Sequence, residues 1–424
     1  MRDVDTTPPA AHRSQETTST GGRSGGPAGP RVLVVDQAFR EDGATRLVLR
    51  LLERWSAAGS RVEVFVLEPP LPGDLAPVPA PGIPVLHPPR GPGGGHPLAQ
   101  LLRLLLGLLA LLRPVRHADV VLAAREVDRG LLLGRVAALL VRRPFVVLVQ
   151  SDPRQALAHH THPRLRPAVR WCLRSAERVV CVSSGLEPAL LELGVAGSRI
   201  TVVPNGVDVD AVLAAGRRPV RSLPPGEGPL VVGLGRLVRQ KGFDLLIRAH
   251  ARVVADGEPH RLLLLGQGGD RERLLRLADD LGVAASVSLP GFSRDRLPIL
   301  AAADLYCLPS RWEGQPLTLA EALVLGTPVV AADCVAGPRW LLADGAHGDL
   351  VPVDDVGALA AAVRGHLQQP ARLRQAAAKG QVWARANLSE RRAAEHLLAV
   401  LGAEAAARPA RPARRSGRTP GPTG

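Results

Sequence analysis

SRWEGQPLTLAEALVLGTPVV, residues 310–330, reads as a loop, a short helix and the return of a buried strand. Pro316 suits a first helical turn, Gly326 suits the position just past a helix end, and PVV resumes an apolar run. The helix N-terminus near Leu317 and Thr318 then offers free N–H groups to whatever lies before it, a ready seat for a phosphate. Glu313 stands on the loop and Glu321 about a turn inside the helix, so the two carboxylates can reach different parts of one ligand. Two acceptors suit vicinal hydroxyls, a ribose at one end and a sugar ring at the other. Taken alone, the pair fits a cap and a surface charge equally.

Working outward, the same unit repeats. Apolar runs at 31–36, 61–67, 119–123, 145–150, 178–182 and 200–204 alternate with helical stretches. After a Gly/Pro/Arg-rich connection at 214–228 a second series follows at 230–235, 261–266, 286–289, 304–309 and 328–333. Continuous apolar strands separated by helices imply parallel sheets covered on both faces. Two series imply an α/β chain of two doubly wound, Rossmann-like domains facing across a cleft, with ligands at the carboxyl ends of the strands. The expected layout is a tail at 1–30, an N-terminal domain at 31–204, a C-terminal domain at 205–388, a helix at 389–403 and a basic tail at 404–424.

Composition removes several classes. The 424 residues are 46% hydrophobic, which excludes wholesale disorder. Cys172, Cys181, Cys307 and Cys334 show neither C-x-x-C spacing nor a His at zinc distance, so neither a disulfide scaffold nor a structural zinc site is expected. With no secretory signal in the first 30 residues, a cytoplasmic protein is expected. The net charge of +14 concentrates between residues 31 and 204, with 22 basic against 14 acidic side chains. Such a balance suits an anionic surface or substrate. Nucleic acid is not expected as a partner, because only 3% of the chain is aromatic and stacking needs aromatics. The stretch LAQLLRLLLGLLALLRPVR (98–116) has nine uncharged residues between Arg103 and Arg113. As a helix that is about 14 Å against about 30 Å of hydrocarbon, so it cannot span. It reads as a crossover helix whose outer face could rest on anionic headgroups.

GLGRLV (233–238) and GQGGDR (266–271) each lack the third glycine of a dinucleotide loop and read as tight strand-to-helix turns. The first continues as GRLVRQKG (235–242), which puts Arg236 and Lys241 at the end of its strand. One planar guanidinium and one compact ammonium suit a diphosphate, each charge-assisted bond contributing about 1.5–3 kcal/mol. Lys241 is one of only two lysines among 53 basic residues. Two solvated turn cations are the bland alternative.

GRLVRQKG followed by EGQPLTLAEALVLGTPVV resembles the retaining glycosyltransferases of the GT-B fold, the large group called family 4. VVCVSSGL (179–186), VVPNGVDVD (202–210), LLLLGQGGD (262–270), LPGFSRDRLPILAAADLYCLPS (289–310) and GPRWLLADG (337–345) follow the family's order. The resemblance covers about 31–400 and is most specific from 202 to 352. It implies a nucleotide-sugar donor in the C-terminal domain, an acceptor in the N-terminal domain, and a last helix crossing back. It further implies that Arg236 and Lys241 neutralise the donor diphosphate, that Glu321 accepts from the ribose and Glu313 from the transferred sugar. The backbone of Gly314, Gln315, Pro316, Leu317 and Thr318 would hold sugar and phosphate, and Gly291 and Phe292 would line the base pocket. No cofactor and no metal are implied.

Departures fall mainly on the acceptor side. A Gly-Gly-x-Glu loop becomes Asp42-Gly43-Ala44-Thr45-Arg46, leaving Gly43 to approach the phosphates. A histidine usual after the fifth strand is replaced by Gln150-Ser151-Asp152-Pro153, with His159, His160 and His162 expected on a surface loop. Trp340 replaces a frequent glutamate. The basic N-terminal half suits a glycan or lipid-linked, otherwise anionic, acceptor at the inner membrane face. An epimerase of the same fold, or a non-catalytic membrane- or nucleic-acid-binding module, are the alternatives.

Overall fold

The computed structural model describes residues 29–39, 43–68, 79–89, 97–220, 223 and 227–407. The expected tails therefore lie almost wholly outside the described residues, as does Asp42. Two parallel sheets form. The first holds β1 (Val32–Asp36), β2 (Val62–Val66), β3 (Val85–Leu86), β4 (Val120–Ala123), β5 (Phe145–Val149), β6 (Arg178–Cys181) and β7 (Ile200–Val202), in the order 3-2-1-4-5-6-7. The second holds β8 (Leu230–Leu234), β9 (Arg261–Leu265), β10 (Val287–Gly291), β11 (Leu305–Leu308), β12 (Val329–Ala332) and β13 (Asp349–Val351), in the order 10-9-8-11-12-13. Eleven of these strands coincide with the apolar runs. The two that do not, β3 and β13, are edge strands of two and three residues, too short to carry a pattern.

Helices cover both faces of each sheet. Around the first are α1 (Gly43–Ala57), α2 (Pro97–His117), α3 (Arg129–Val141), α4 (Pro153–His160), α5 (Arg166–Ser175) and α6 (Glu187–Glu192). Around the second are α7 (Val209–Gly216), α8 (Phe243–Ala255), α9 (Arg271–Asp280), α10 (Arg296–Ala302), α11 (Leu317–Leu325), α12 (Gly337–Leu341), α13 (Val356–Gln368) and α14 (Pro370–Asn387). The second sheet buries a separate cluster on each face. Val232, Leu234, Tyr306 and Leu308 point to one, while Val231, Leu262, Leu305 and Cys307 point to the other, the period of two expected of a doubly covered strand.

The last helix, α15 (Glu390–Ala406), leaves the second domain and packs on the first. Its Ala394, Leu397 and Leu401 enter the same core as Val34, Leu52 and Phe145. The Trp55 indole N–H donates to the Ala394 carbonyl at 2.9 Å, and Arg50 and Arg54 both reach the buried Glu390 carboxylate, at 2.9 and 2.7 Å. The two strands of chain that cross between domains are themselves paired. Val207 N–H donates to Leu388 O at 2.9 Å and Glu390 N–H to Val207 O at 3.2 Å.

Helix α2 is a crossover helix, with Leu111 and Val115 buried against the first sheet. Its opposite face leaves Leu101, Leu102, Leu105 and Leu109 exposed, Leu109 at 64%, beside Arg103 and Arg113. On the neighbouring α3, Leu139 and Leu140 are exposed as well. No described helix is long and apolar enough to cross a membrane.

Candidate functional site

The carboxyl ends of the two sheets enclose a cleft of about 480 Å³ and an adjoining cavity of about 180 Å³. Gly43, Gly235, Arg236, Leu317 and Thr318 line both. The position follows from topology. In each sheet the chain reverses its direction of travel at one pair of neighbours, β1 with β4 and β8 with β11, and the loops leaving those strands diverge to open a crevice.

On the C-terminal side, β8 and β9 end in two glycine turns packed on one another. Gly235 N–H donates to Leu265 O at 3.0 Å and Leu237 N–H to Gln267 O at 2.8 Å. Gly266 sits at φ +154, and a Cβ there would overlap the Gly235 carbonyl, so the glycine serves close backbone approach. These are the tight turns the sequence implied. They deliver Arg236, exposed and 3.5 Å from the Gln240 amide oxygen, and Lys241 to the cleft wall.

The loop after β11 faces them. Lys241 Nζ donates to Glu313 Oε1 at 2.6 Å, and Ser310 Oγ donates to the same oxygen at 2.6 Å. Gly314 and Gln315 continue the cleft wall, but the Gln315 side chain is committed elsewhere. It accepts from Asn205 N–H at 2.5 Å and donates to Asn205 O at 2.9 Å, fastening the loop to the inter-domain crossing. Pro316 occupies the cap position rather than the first turn, and α11 begins at Leu317. No side chain caps that end. Its leading N–H groups, at Leu317 and Thr318, lie in the wall of both cavities with the positive end of the helix dipole. Gly326 closes the helix in the left-handed region at φ 76, as its sequence position implied.

Glu321 lies buried in the smaller cavity, paired with Arg296. Phe292 is 44% exposed in the same wall, with the Arg46 guanidinium of α1 5.5 Å above its ring. Gly291 is not in that wall. It ends β10, and its carbonyl accepts from Gly266 N–H at 2.9 Å. Gly43 opens α1 and lines both cavities.

The N-terminal wall differs from expectation. Despite the positive charge of its domain, its described residues present Asp36, Glu126 and Asp128 against the guanidinium of Arg125. Arg125 Nε lies 3.3 Å from Asp36 Oδ1 and its Nη2 donates to Thr45 Oγ1 at 2.6 Å. Asp128 caps α3, accepting from Leu131 N–H at 2.7 Å; burial, then the Asp36 charge, push its carboxyl up to about 7. Glu126 is held by Ser151 Oγ at 2.5 Å and Gln150 N–H at 3.3 Å, and burial pushes its carboxyl up. Among the described residues the domain's other arginines lie off this wall, in pairs such as Arg135–Glu177 and Arg178–Glu404, on exposed helix faces or, for Arg46 and Arg50, in the smaller cavity. Sequence reasoning missed this wall, although AREVD directly after β4 was the available signal.

The histidines are also placed differently. Asp152 accepts from Arg154 N–H and Pro153 takes the first turn, so α4 forms and His159 and His160 end a helix rather than sit on a loop. His160 lines the cleft, and His159 stacks on Trp312 of the other domain with ring centroids 5.1 Å apart. His162 caps the following single turn. Trp340 turns away from the cleft onto Trp383, at 5.3 Å. The four cysteines are buried and free. Among the described residues no three His, Cys, Asp or Glu side chains converge as a metal-binding set.

Two family models match this chain: glycosyl transferases group 1 over residues 218–383, and glycosyltransferase family 4 over 42–211. The lipopolysaccharide core biosynthesis glycosyltransferase LpsE of Rhizobium meliloti is 34% identical over 190 residues, 45% of this chain and 54% of that protein, so the match spans about half of the relative's length. D-inositol 3-phosphate glycosyltransferase 1 of Catenulispora acidiphila is 30% identical over 357 residues, 78% of this chain and 84% of that protein. Anabaena HepE, solved in complex with UDP and glucose, superposes with a TM-score of 0.71 at 21% identity, covering 88% of this chain and all of that one, a likeness of fold. Two parallel doubly wound domains, a C-terminal helix returned to the first of them and these matches together show that the chain belongs to the group 1 glycosyltransferases of the GT-B fold.

Proposed function

We propose that this protein transfers a sugar from a nucleotide-sugar to a glycan or lipid-linked acceptor, with retention of anomeric configuration and without a divalent metal. The observation that carries the reading is the convergence of Arg236, Lys241 and the uncapped N-terminus of α11 on one wall of the cleft. A leaving diphosphate needs preorganised positive charge where its own charge develops, and these three supply it without reorganisation. Lys241 keeps its bond to Glu313 while doing so, because an ammonium has three donors. Glu313, fixed by Lys241 and Ser310, retains a second oxygen for a sugar hydroxyl. The acceptor attacks from the face the diphosphate leaves, so the anomeric configuration is kept.

The facing wall narrows the acceptor. The carboxyls of Asp36, Glu126 and Asp128, held against the paired Arg125 guanidinium, offer hydroxyl-bonding groups and no free cation for a phosphate, so the attacking end is an uncharged polyol. Any anionic or lipid portion belongs outside the cleft, and the exposed leucines of α2 with Arg103 and Arg113 give it an interface. LpsE is named for lipopolysaccharide core biosynthesis, which is in keeping with such an acceptor.

The test of the reaction is proton NMR of UDP-glucose, GDP-mannose and ADP-glucose incubated with the protein and EDTA, water serving as acceptor. Release of the sugar first as the donor's own anomer supports the reading. The opposite anomer overturns retention, and dependence on added magnesium overturns metal independence. For the membrane contact, co-sedimentation with phosphatidylglycerol vesicles is expected to exceed that with phosphatidylcholine, and Leu105→Glu/Leu109→Glu is expected to abolish it. Equal sedimentation of wild type and variant sinks that contact alone.

A further inference from the structure

The pair of Arg296 and Glu321 has a geometry that an ordinary ion pair does not need. Arg296 opens α10 and Glu321 stands inside α11, so two different elements aim their planar groups into the smaller cavity. The Arg296 Nη2 donates to Glu321 Oε1 at 2.8 Å and its Nη1 donates to Oε2, a parallel two-bond fork. The Glu321 side chain is 5% exposed and that of Arg296 22%. A carboxylate offers about four acceptor directions, and a fork uses two of them. The other two stay available to the cavity, in a plane the fork has fixed.

We propose that Arg296 is a positioning residue. Through the fork it holds the Glu321 carboxylate in one plane, so that the free lone pairs accept from the vicinal 2′- and 3′-hydroxyls of the donor's ribose. The pair thereby selects ribonucleotides over their deoxy forms. This role rests on the donor site proposed above. The selectivity follows from burial: a deoxyribose leaves one lone pair of a desolvated carboxylate without a donor, and sites built to bond a hydroxyl reject the analogue that lacks it. A guanidinium is required for the fixed plane, because an ammonium on the same stem is a point charge with no preferred orientation.

The experiment is calorimetric. UDP, GDP and ADP are titrated into the wild type, and the tightest binder is compared with its 2′-deoxy and 3′-deoxy forms. The wild type is expected to bind each deoxy form about tenfold or more weakly. In Arg296→Met the ratio is expected to shrink to about twofold, while affinity for the deoxy forms, carried by Arg236 and Lys241, changes little. Arg296→Lys, which keeps the charge without the fork, is expected to fall between and decides the matter if Arg296→Met does not fold. A purely structural ion pair would lower the melting temperature and weaken every nucleotide alike, and an unchanged ribose-to-deoxyribose ratio in the variants overturns the role. A wild type that ignores the missing hydroxyls overturns it too. No binding of any nucleoside diphosphate by a folded sample overturns the donor site itself and this role with it.

Discussion

Lys241→Ala is expected to lower nucleotide-sugar turnover by about 10²–10³-fold, the loss seen when one preorganised charge at a developing anion is removed. The deletion acts twice here. In the proposed donor site Lys241 faces the diphosphate, and it is also the cation 2.6 Å from the Glu313 carboxylate, whose side chain is only 7% exposed. Without the ammonium that carboxylate is buried and uncompensated beside an incoming dianion, so nucleotide binding suffers more than the loss of a single contact. The double variant Lys241→Ala/Glu313→Gln separates the two effects. It is expected to regain much of the nucleotide affinity and none of the turnover. Equal affinity of the single and double variants contradicts the coupling.

Gly314→Ala is expected to cost about 10²-fold or more in turnover through the opposite domain. A Cβ on Gly314 would overlap the carbonyl oxygen of Gln150 and lie 3.1 Å from Ser151 Cα, both backbone atoms of the N-terminal domain. Nothing there is the flexible end of a side chain. The loop cannot retreat either, because Gly337 N–H donates to Gly314 O at 2.7 Å and a Cβ on Gly337 would itself meet Pro316 Cδ at 2.6 Å. The methyl group must therefore part the two walls, and a displacement of about 1 Å between positioned reactants is enough for a loss of that size. Each domain keeps its own core. The variant is expected to melt near the wild type, to show a larger radius of gyration by small-angle scattering, and to bind nucleotide nearly as well. Wild-type turnover in Gly314→Ala contradicts the closed cleft as the working arrangement.

What the sequence told and what it withheld divide along physical lines. The C-terminal wall of the cleft was legible because its residues are local. Arg236 and Lys241 follow one strand, Glu313 to Thr318 follow its neighbour, and each group is read from the strand-to-helix turn that carries it. The buried strands were legible because a doubly covered parallel sheet needs unbroken apolar runs. The edge strands β3 and β13 were not, since an edge of two or three residues needs no such run. The N-terminal wall stayed hidden for another reason. Asp36 and Glu126 stand 90 positions apart and meet only because β1 and β4 are neighbours, a matter of strand order that no single segment records. Net charge misled in the same way, because it counts arginines without saying that the described residues of this wall set Arg125 against three carboxyl groups. His159 and His160 were misplaced although Asp152-Pro153 is a helix start that could have been read.

The central claim is that the cleft binds a nucleoside diphosphate through Arg236, Lys241 and the α11 N-terminus, and it is tested most directly by calorimetric titration of UDP, GDP and ADP in EDTA. The account predicts micromolar binding of one of the three, lost in Lys241→Ala and partly regained in the double variant with Glu313→Gln. No binding of any of them to folded protein, or binding that Lys241→Ala leaves untouched, would contradict it.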